Sequence, residues 1–322
     1  MSDCKVMDVL AKAKTVIGHE AIVAVAYSGG ADSTALLIET YKQHPNQTIA
    51  FHVHHGLQAA ADGFVTHCKV FCDALKVPLH VVYVNAKHAS GESPEDAARG
   101  ARYKALIELA KSNSVVESGG KVLLAQHADD QVETLLLALS RGAGLGGLSA
   151  MPAEFERDGV QFERPMLDRS AAEIRASLKR DGISFIEDPT NRDKAFTRNR
   201  IRLDVLPALE AAFPQYRETF LRSISHIAQA NDLLADLAGI DLQVIGIPPR
   251  IEDLQHLAPN RQANAIRFWL KSEHGVVPST AQLEELLKQI AACQTRGHSI
   301  RLKVATGFVE RNNDYLEFQP II

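Results

Sequence analysis

Ser28-Gly29-Gly30-Ala31-Asp32-Ser33 is the segment that decides the fold of this 322-residue chain. It follows an apolar run, Ile22–Ala26, and precedes a helical stretch that begins near Thr34. When a buried strand turns into a helix, the first backbone N–H groups of the helix have no intrahelical partner. Together with the helix dipole, these groups favour an anion in the turn, most often a phosphate. The segment therefore predicts a phosphate-binding loop at the end of a buried strand.

The residue types of this loop fit that role. Gly29 and Gly30 allow the backbone to approach an anion closely, and Ser28 and Ser33 can donate hydroxyl hydrogen bonds. No Gly-Lys-Ser/Thr follows, so the loop is not a Walker loop. Asp32 fits an anion site if a Mg²⁺ ion bridges it to the phosphates. The alternative is an ordinary tight turn, which the serines and the aspartate around the glycine pair make the less favoured interpretation.

Composition limits the class of protein. The length favours two domains, and 46% hydrophobic with 23% charged residues predicts a substantial core rather than disorder. A net charge of −4 argues against a globally basic nucleic-acid binder but allows a local basic site. No apolar run approaches the roughly 18 residues that span a bilayer, and the N-terminus lacks the apolar core of a signal peptide. We therefore expect a cytoplasmic protein.

The first half of the chain alternates strand-like and helix-like segments, which is typical of βαβ units in a parallel sheet covered on both faces. The predicted strands are rich in Val, Ile and Leu and comprise residues 22–27, 48–53, 79–84 and 121–126. Because ligands bind outside the carboxyl ends of such strands, three polar segments mark the expected site: Ser28–Ser33, His54–Gln58 and His127–Glu133. The sequence thus predicts an α/β fold with a doubly wound parallel sheet.

The second half predicts a smaller, mostly helical α+β domain. Ser170–Glu173 is a capping box that starts a helix, and a long helical stretch from about residue 215 to 237 follows further on. Two more helices and short strands around the turn at Asn312–Asp314 complete the chain. We expect a catalytic domain over 1–214, a helical linker over 215–240 and a small substrate-binding domain over 241–322.

Two carboxylates follow the predicted strand 121–126. In the segment His127–Thr134, Asp130 and Glu133 are three residues apart and share a helix face at the ligand edge of the sheet. Acidic residues in a first turn also stabilise a helix through its dipole alone, and a histidine at a strand end is as often structural as it is a proton acceptor or phosphate contact. At this edge the paired carboxylates favour binding of a cation or an amine.

The densest basic stretch of the chain is 191–202, with five basic residues and the single acid Asp193. Arg198 and Arg202 are four residues apart on a helix that Thr197 is expected to cap, so their guanidinium forks can converge on phosphates. A solvated charged face is the alternative. A pair of forks at a helix start near a phosphate loop favours the phosphate role.

Other histidines and cysteines indicate no metal site. His52 and His54 lie on one face of a predicted strand without an accompanying carboxylate or cysteine, which favours nucleotide or backbone contacts over zinc. Cys68 and Cys72 are spaced for one helix face, and helix packing is favoured over an iron–sulfur or zinc site.

Taken together, these residues resemble the tRNA(Ile)-lysidine synthetases, a family within the PP-loop, Rossmann-like superfamily of N-type ATP pyrophosphatases. The first segment alone indicates only the superfamily, whereas the ordered set is specific to the family. Gln58 departs from the arginine usual in the family, which affects a phosphate or RNA contact there. Longer family members carry a further C-terminal tRNA-binding domain. The matching segments are 28–33, 54–57, 95–99 with 102–103, 127–134, 141–144, 164–167, 188–191 and 197–202.

The resemblance implies a two-step reaction. ATP adenylates the C2 oxygen of the wobble cytidine in a tRNA(Ile) with a CAU anticodon, and pyrophosphate leaves. The ε-amine of free L-lysine then attacks C2 and expels AMP, which forms lysidine. The implied cofactors are ATP and Mg²⁺, and the implied partners are tRNA(Ile) and free lysine, with no membrane. On the sequence alone the oligomeric state, a homodimer included, stays open.

Each candidate residue receives an expected role. The catalytic candidates are Asp32, Asp130, Glu133 and Arg198. The ATP-binding candidates are Ser28, Gly29, Gly30, Ala31, Asp32, Ser33, His54 and Arg202, with Asp32 as the metal ligand. The candidates for lysine or tRNA are Asp130, Glu133, His127, Arg99 and Arg102.

Two other functions stay open. A different PP-loop enzyme, such as a tRNA thiolase or an amidotransferase-type synthetase, needs sulfur-handling cysteines or a glutaminase partner, and the cysteine spacing favours neither. The chain could also be an inactive nucleotide-sensing or RNA-binding module. The presence of Ser28, Asp32, Asp130 and Glu133 argues against that second alternative.

Overall fold

The computed structural model describes residues 21–54, 61–84, 94–295 and 297–321, without the side chains of residues 61, 62, 94–96 and 189. The chain divides into two compact units, one up to Ile224 and one from Ser225 onward. The division falls inside a single long helix, Tyr216–Ile245, in the region where a helical linker is expected. The boundaries at 214 and 240 stay predictions.

The first unit is built on a six-stranded sheet. Its strands are β1 Val23–Ala26, β2 Thr48–His54, β3 Leu79–Tyr83, β4 Lys121–Leu123, β5 Glu154–Arg157 and β6 Val160–Glu163. Their order is β3-β2-β1-β4-β6-β5, and every neighbouring pair is parallel except the hairpin β5–β6. The predicted doubly wound α/β fold is confirmed. The hairpin is an addition that the strand prediction missed.

Helices cover both faces of this sheet. They are α1 Ala31–Gln43, α2 Ala61–Leu75, α3 Pro94–Ser112, α4 Ala128–Ser140, α5 Leu145–Leu148 and α6 Ala171–Arg180. Side-chain alternation along β1 explains the two layers, because successive residues point to opposite faces. Val23 and Val25 pack in the cluster that includes residues of α1, α2 and α6, whereas Ala24 and Ala26 pack in the cluster that includes α3.

Short helical pieces follow in the chain. They are a 3₁₀ turn Pro189–Arg192, α7 Thr197–Arg200, a π turn Ile201–Val205 and α8 Leu206–Ala212, and the long helix α9 Tyr216–Ile245 comes after them. Because strand order reverses between β1 and β4, the loops that follow these two strands open onto the same crevice, where doubly wound folds bind ligands. The expected site lies at this switch point.

The second unit follows the predicted order of helices and then strands. Its remaining elements are α10 Ile251–His256, α11 Pro259–His274, α12 Thr280–Ala292, β7 Arg301–Val304, β8 Gly307–Asn312 and β9 Tyr315–Pro320. The strands form an antiparallel sheet in the order β7-β8-β9, and Trp269 and Leu254 are among the fully buried side chains of its core. Every helix in the described part of the chain is too short or too polar to span a bilayer.

Candidate functional site

The glycine turn after β1 has the backbone expected of a phosphate loop. Gly29 has a φ of +85°, a region that side chains disfavour, and a Cβ there would lie 3.1 Å from Cys68 Sγ. Gly30 is the N-cap of α1, and no side chain among the described residues caps the helix. The turn therefore leaves the first N–H groups of α1 without a side-chain cap among the described residues, which is the arrangement that favours an anion.

The two serines of the loop have different roles. Ser33 is buried; its hydroxyl donates to Gly30 O at 3.1 Å and accepts the Ser28 N–H at 3.1 Å. Ser28 is exposed, and its Oγ lies 3.0 Å from Ser33 Oγ. A hydroxyl has one proton to donate, and that of Ser33 is used in the hydrogen bond to the Gly30 carbonyl within the loop. Ser28 is the serine whose hydroxyl faces the crevice.

Asp32 lies in the first turn of α1 and fits a metal-bridging role. Its Oδ1 is buried without a hydrogen-bond partner among the described residues, and its Oδ2 lies 3.7 Å from His127 Nε2. Burial raises the pKa of the Asp32 carboxyl, and the nearby His127 opposes that rise. A buried carboxylate oxygen without a partner is costly, which a bound cation would relieve.

The described residues hold no group of three or more His, Cys, Asp or Glu side chains able to bind a metal. That finding is compatible with magnesium, which commonly takes one or two protein carboxylates and completes its shell with phosphate oxygens and water. The residues present therefore fit Mg²⁺ only together with a phosphate ligand.

A cavity of about 470 Å³ opens beside the loop, within the range of small-molecule sites. Its polar lining includes Ser28, Asp32, His52, His54, Arg102, Arg175, Glu187, Asp188 and Asn191. Gly30 and Ala31 also line it, whereas Arg99 is an exposed residue of α3 outside its lining. A larger cavity of about 880 Å³ lies beside α1 and α6, and it is lined by none of the predicted site residues.

His127 fixes the start of α4 at the carboxyl side of β4. Its Nδ1 accepts the Asp130 N–H at 3.4 Å, and Asp130 Oδ2 accepts the His127 N–H at 3.1 Å, which is a capping box. Because Nδ1 accepts, the proton of a neutral ring lies on Nε2. That nitrogen is 3.7 Å from Asp32 Oδ2 and 3.5 Å from Asp130 Oδ2. His127 thus links the phosphate loop to the carboxylate pair.

The predicted carboxylate pair meets a predicted phosphate-binding arginine. Arg202 Nε donates to Glu133 Oε1 at 2.7 Å and Nη2 donates to Oε2 at 3.1 Å, while Nη2 also reaches Asp130 Oδ1 at 3.3 Å. The Glu133 side chain is 0% exposed and the Arg202 side chain 37%. Burial raises the pKa of Glu133 against the opposing charge of Arg202. The structure therefore unites residues that the sequence assigned to separate substrates.

The basic segment differs locally from its prediction. The N-cap of α7 is Phe196, so the predicted cap by Thr197 is wrong; Thr197 instead accepts a hydrogen bond from Arg200 at 2.9 Å. A π turn follows α7 and interrupts the regular helix. Arg198 Nη2 lies 3.4 Å from Thr134 Oγ1, so Arg198 and Arg202 both contact α4.

Sequence reasoning missed three supporting residues of the site, which are Asp129, its partner Arg217, and Asn199. Asp129 is buried and accepts hydrogen bonds from Arg217 and from the Ala171 N–H. Asn199 is buried and donates to the carbonyls of residues 190 and 193, both at 2.8 Å, which holds the preceding loop against α7. The sequence offers a signal only for Asn199, which is the uncharged polar residue between Arg198 and Arg200, whereas Asp129 is an acid like its neighbour Asp130.

Two parts of the sequence prediction lie outside the described residues. They are the segment with Gln58 and the side chains of Glu95 and Asp96.

Comparison with known proteins gives the family. Residues 5–209 match the PP-loop domain family, and residues 250–316 match the TilS substrate binding domain. The tRNA(Ile)-lysidine synthase of Polaromonas naphthalenivorans is 58% identical over 287 residues, which cover 89% of this chain and 86% of that protein. The chain belongs to the tRNA(Ile)-lysidine synthase family. The resemblance noted in the sequence is confirmed.

Two further comparisons show how much of each chain is matched. The tRNA(Ile)-lysidine synthase of Pseudomonas aeruginosa is 43% identical over 263 residues, which cover 76% of this chain and 58% of that protein. Among solved structures, the U34-tRNA thiolase NcsA of Methanococcus maripaludis superposes with a TM-score of 0.57 at 18% identity, over 70% of this chain and 79% of that chain. This last likeness supports the fold alone.

Proposed function

We propose that this chain ligates L-lysine to C2 of the wobble cytidine of a tRNA(Ile) with a CAU anticodon and consumes ATP to AMP and pyrophosphate. One observation carries the proposal. The phosphate loop and the carboxylate pair lie close together, because His127 Nε2 is 3.7 Å from Asp32 Oδ2 on one side and 3.5 Å from Asp130 Oδ2 on the other. Membership of the lysidine synthase family supports the same reaction.

In the first step, the C2 oxygen of the cytidine attacks the α-phosphorus of ATP, and the bond to pyrophosphate breaks. The N–H groups at the start of α1 and the Ser28 hydroxyl stabilise the phosphate oxygens. Mg²⁺ held by Asp32 would neutralise charge on the leaving pyrophosphate. Arg198, which contacts Thr134 of α4 at 3.4 Å, would supply a further positive charge to the phosphates.

In the second step, the ε-amine of lysine attacks C2, and AMP leaves with the former C2 oxygen. The amine must first give up a proton. Asp130 is placed to accept it, because its side chain is 15% exposed whereas that of Glu133 is 0% exposed. Glu133 is the deeper charge of the pair and holds the ammonium form of the substrate.

The tRNA must present an unstacked base to this crevice. Sequence-specific recognition of RNA generally targets bases splayed out of single-stranded loops. Arg102 lines the cavity, whereas Arg99 is exposed one turn earlier on α3. We therefore assign Arg99 to the tRNA backbone and Arg102 to the tRNA nucleotide that enters the cavity. We also assign a cytoplasmic location, since ATP, free lysine and tRNA are the substrates.

A single incubation tests this function. The protein is mixed with ATP, Mg²⁺, unfractionated tRNA and one labelled amino acid at a time, and the labelled tRNA is sequenced. We expect lysine alone to be incorporated, at the wobble position of tRNA(Ile), with one AMP and one pyrophosphate per lysine. Methionine tRNA with the same CAU anticodon is the matched control and should stay unlabelled. Pyrophosphate release without lysine incorporation, or transfer of another group, would refute the proposal.

A further inference from the structure

The carboxylates proposed to bind the lysine ammonium already hold a cation of the chain itself. Arg202 engages both oxygens of Glu133, at 2.7 and 3.1 Å, and one oxygen of Asp130, at 3.3 Å. Two parallel hydrogen bonds from a guanidinium fork are the strong form of a carboxylate contact. The same two carboxylates cannot pair fully with Arg202 and with a lysine ammonium at once.

The burial of Glu133 strengthens the competition between Arg202 and the lysine ammonium for this carboxylate. The Glu133 side chain is 0% exposed, so its charge depends on whichever cation sits beside it. A buried carboxylate that loses its partner is strongly destabilising, whereas an exchange of one cation for another keeps the charge paired. Arg202 therefore cannot leave Glu133 unless it gains another anion and Glu133 gains another cation.

Arg202 lies where another anion would act on it. Its side chain is 37% exposed, unlike that of Glu133, and it belongs to the π turn Ile201–Val205. The charge of Asp32, on the phosphate loop, is among the charges that act on Arg202. A polyphosphate bound to that loop would add several negative charges on the same side.

We propose that Arg202 occupies the lysine site until the phosphates of ATP bind, and that it then moves to the phosphates and opens the site to lysine. This inference rests on the proposed function. The guanidinium exchanges a carboxylate for phosphate oxygens, which it also binds bidentately. Lysine binding then follows nucleotide binding, which prevents free lysine from occupying the crevice before activation begins.

The proposal requires a coupling between two ligands. If bound nucleotide raises the affinity for lysine by some factor, bound lysine must raise the affinity for the nucleotide by the same factor. Typical couplings between sites are about 5- to 150-fold, and direct exchange of one side chain belongs in that range. We expect at least about a tenfold gain in lysine affinity.

Calorimetric titration of lysine into the wild-type protein tests this without any substitution. The four conditions are Mg²⁺ alone, Mg²⁺ with adenosine, Mg²⁺ with tripolyphosphate and Mg²⁺ with a non-hydrolysable ATP analogue. We expect the analogue and tripolyphosphate to strengthen lysine binding and adenosine to leave it unchanged. Equal affinity in all four conditions would overturn the proposal, as would a gain with adenosine alone.

Two variants sharpen the result. Arg202→Gln should bind lysine without dependence on nucleotide, whereas Arg200→Gln, an exposed neighbour on the same segment, should keep the wild-type dependence. If Arg202→Gln fails to fold, the wild-type titrations still decide the matter. The proposed function fails in a different way: no lysidine forms and lysine binds under none of the four conditions. Lysidine formation together with nucleotide-independent lysine binding would refute the exchange alone.

Discussion

Asp129 joins the start of α4 to the start of α9, because Arg217 Nε lies 2.5 Å from Asp129 Oδ1. The other carboxylate oxygen accepts the backbone N–H of Ala171, the first residue of α6, at 2.8 Å. Three helix starts therefore meet at one buried carboxylate, next to Asp130. The position of α4 in the crevice, and with it the carboxylate pair, depends on this contact.

Replacing Arg217 by methionine should destabilise the first unit by about 3 kcal/mol at pH 7, because it leaves Asp129 buried without its ion partner. Burial raises the pKa of Asp129, but the bonds from Arg217 and Ala171 and the charge of Arg217 hold it below its usual value. The stabilisation is thus present above the usual carboxyl pKa of about 3.9 and is lost as pH falls below it. Denaturant unfolding at pH 7 and pH 3 measures both effects.

Arg222→Met is the matched control for this change, since Arg222 is an exposed residue of the same helix. It should alter the free energy of unfolding by less than about 0.5 kcal/mol. Equal losses in the two variants would show that Asp129 does not depend on Arg217.

Asp32→Asn should abolish tRNA-dependent pyrophosphate release while the fold stays intact. Loss of a charged contact in the transition state costs about 2–4 kcal/mol, or roughly a hundredfold or more in rate. The melting temperature should stay equal or rise, because burial raises the pKa of this carboxyl and its charge therefore opposes folding. Ser28→Ala should lower pyrophosphate release likewise. Asp73→Asn, an exposed change on α2, serves as the control. Near-wild-type turnover of Asp32→Asn with Mg²⁺ would contradict the metal role.

Asp130→Asn and Glu133→Gln should separate the two half-reactions. We expect adenylation, followed as pyrophosphate release, to survive largely in both variants, while transfer of lysine fails because an amide lacks the negative charge that pairs with an ammonium. Glu133→Gln should also lower the melting temperature, since it breaks the buried pair with Arg202. If both acids served only the helix dipole, the KM for lysine would not change in either variant.

The sequence predicted the strands β1 to β4, because continuous apolar runs mark them. It missed β5 and β6, whose residues alternate with charges. A signal for that hairpin exists in Asp158-Gly159, which joins the two strands with φ values of 51° and 79°. Asp-Gly between alternating segments is typical of a two-residue hairpin turn.

The candidate site also has one part that the sequence predicts and one part that it does not. The loops after β1 and β4 are predictable because parallel strands place their carboxyl ends at one edge. The pairing of Arg202 with Glu133 is not predictable, because the partners are 69 residues apart and meet only where a π turn packs against α4. Nothing in local spacing fixes such a contact.

The cysteines of α2 should be inert in the folded protein. Burial raises the pKa of the Cys68 and Cys72 thiols to about 12, so neither forms an appreciable thiolate at pH 8. We expect iodoacetamide to modify both residues in urea and neither in buffer, measured by mass spectrometry of the peptides. A raised thiol pKa stabilises the fold below the usual value near 8.5, and that contribution is lost as pH rises above it. The free energy of unfolding should therefore fall between pH 9 and 11 less steeply in Cys68→Ala/Cys72→Ala than in wild type.

Arg198→Lys should lower the rate of adenylation even though it preserves charge, because lysine cannot reproduce the planar fork of arginine. Arg198 contacts Thr134 of α4 at 3.4 Å, on the helix that carries the carboxylate pair, whereas Arg200 is exposed and bonds only locally to Thr197 among the contacts described. Arg200→Lys is therefore the matched control and should keep wild-type activity. If the segment were a plain electrostatic patch for tRNA, both lysine variants would be fully active. Alanine at either position would then weaken tRNA binding more at low salt than at high salt, since each lost phosphate contact reduces the number of counterions released on binding.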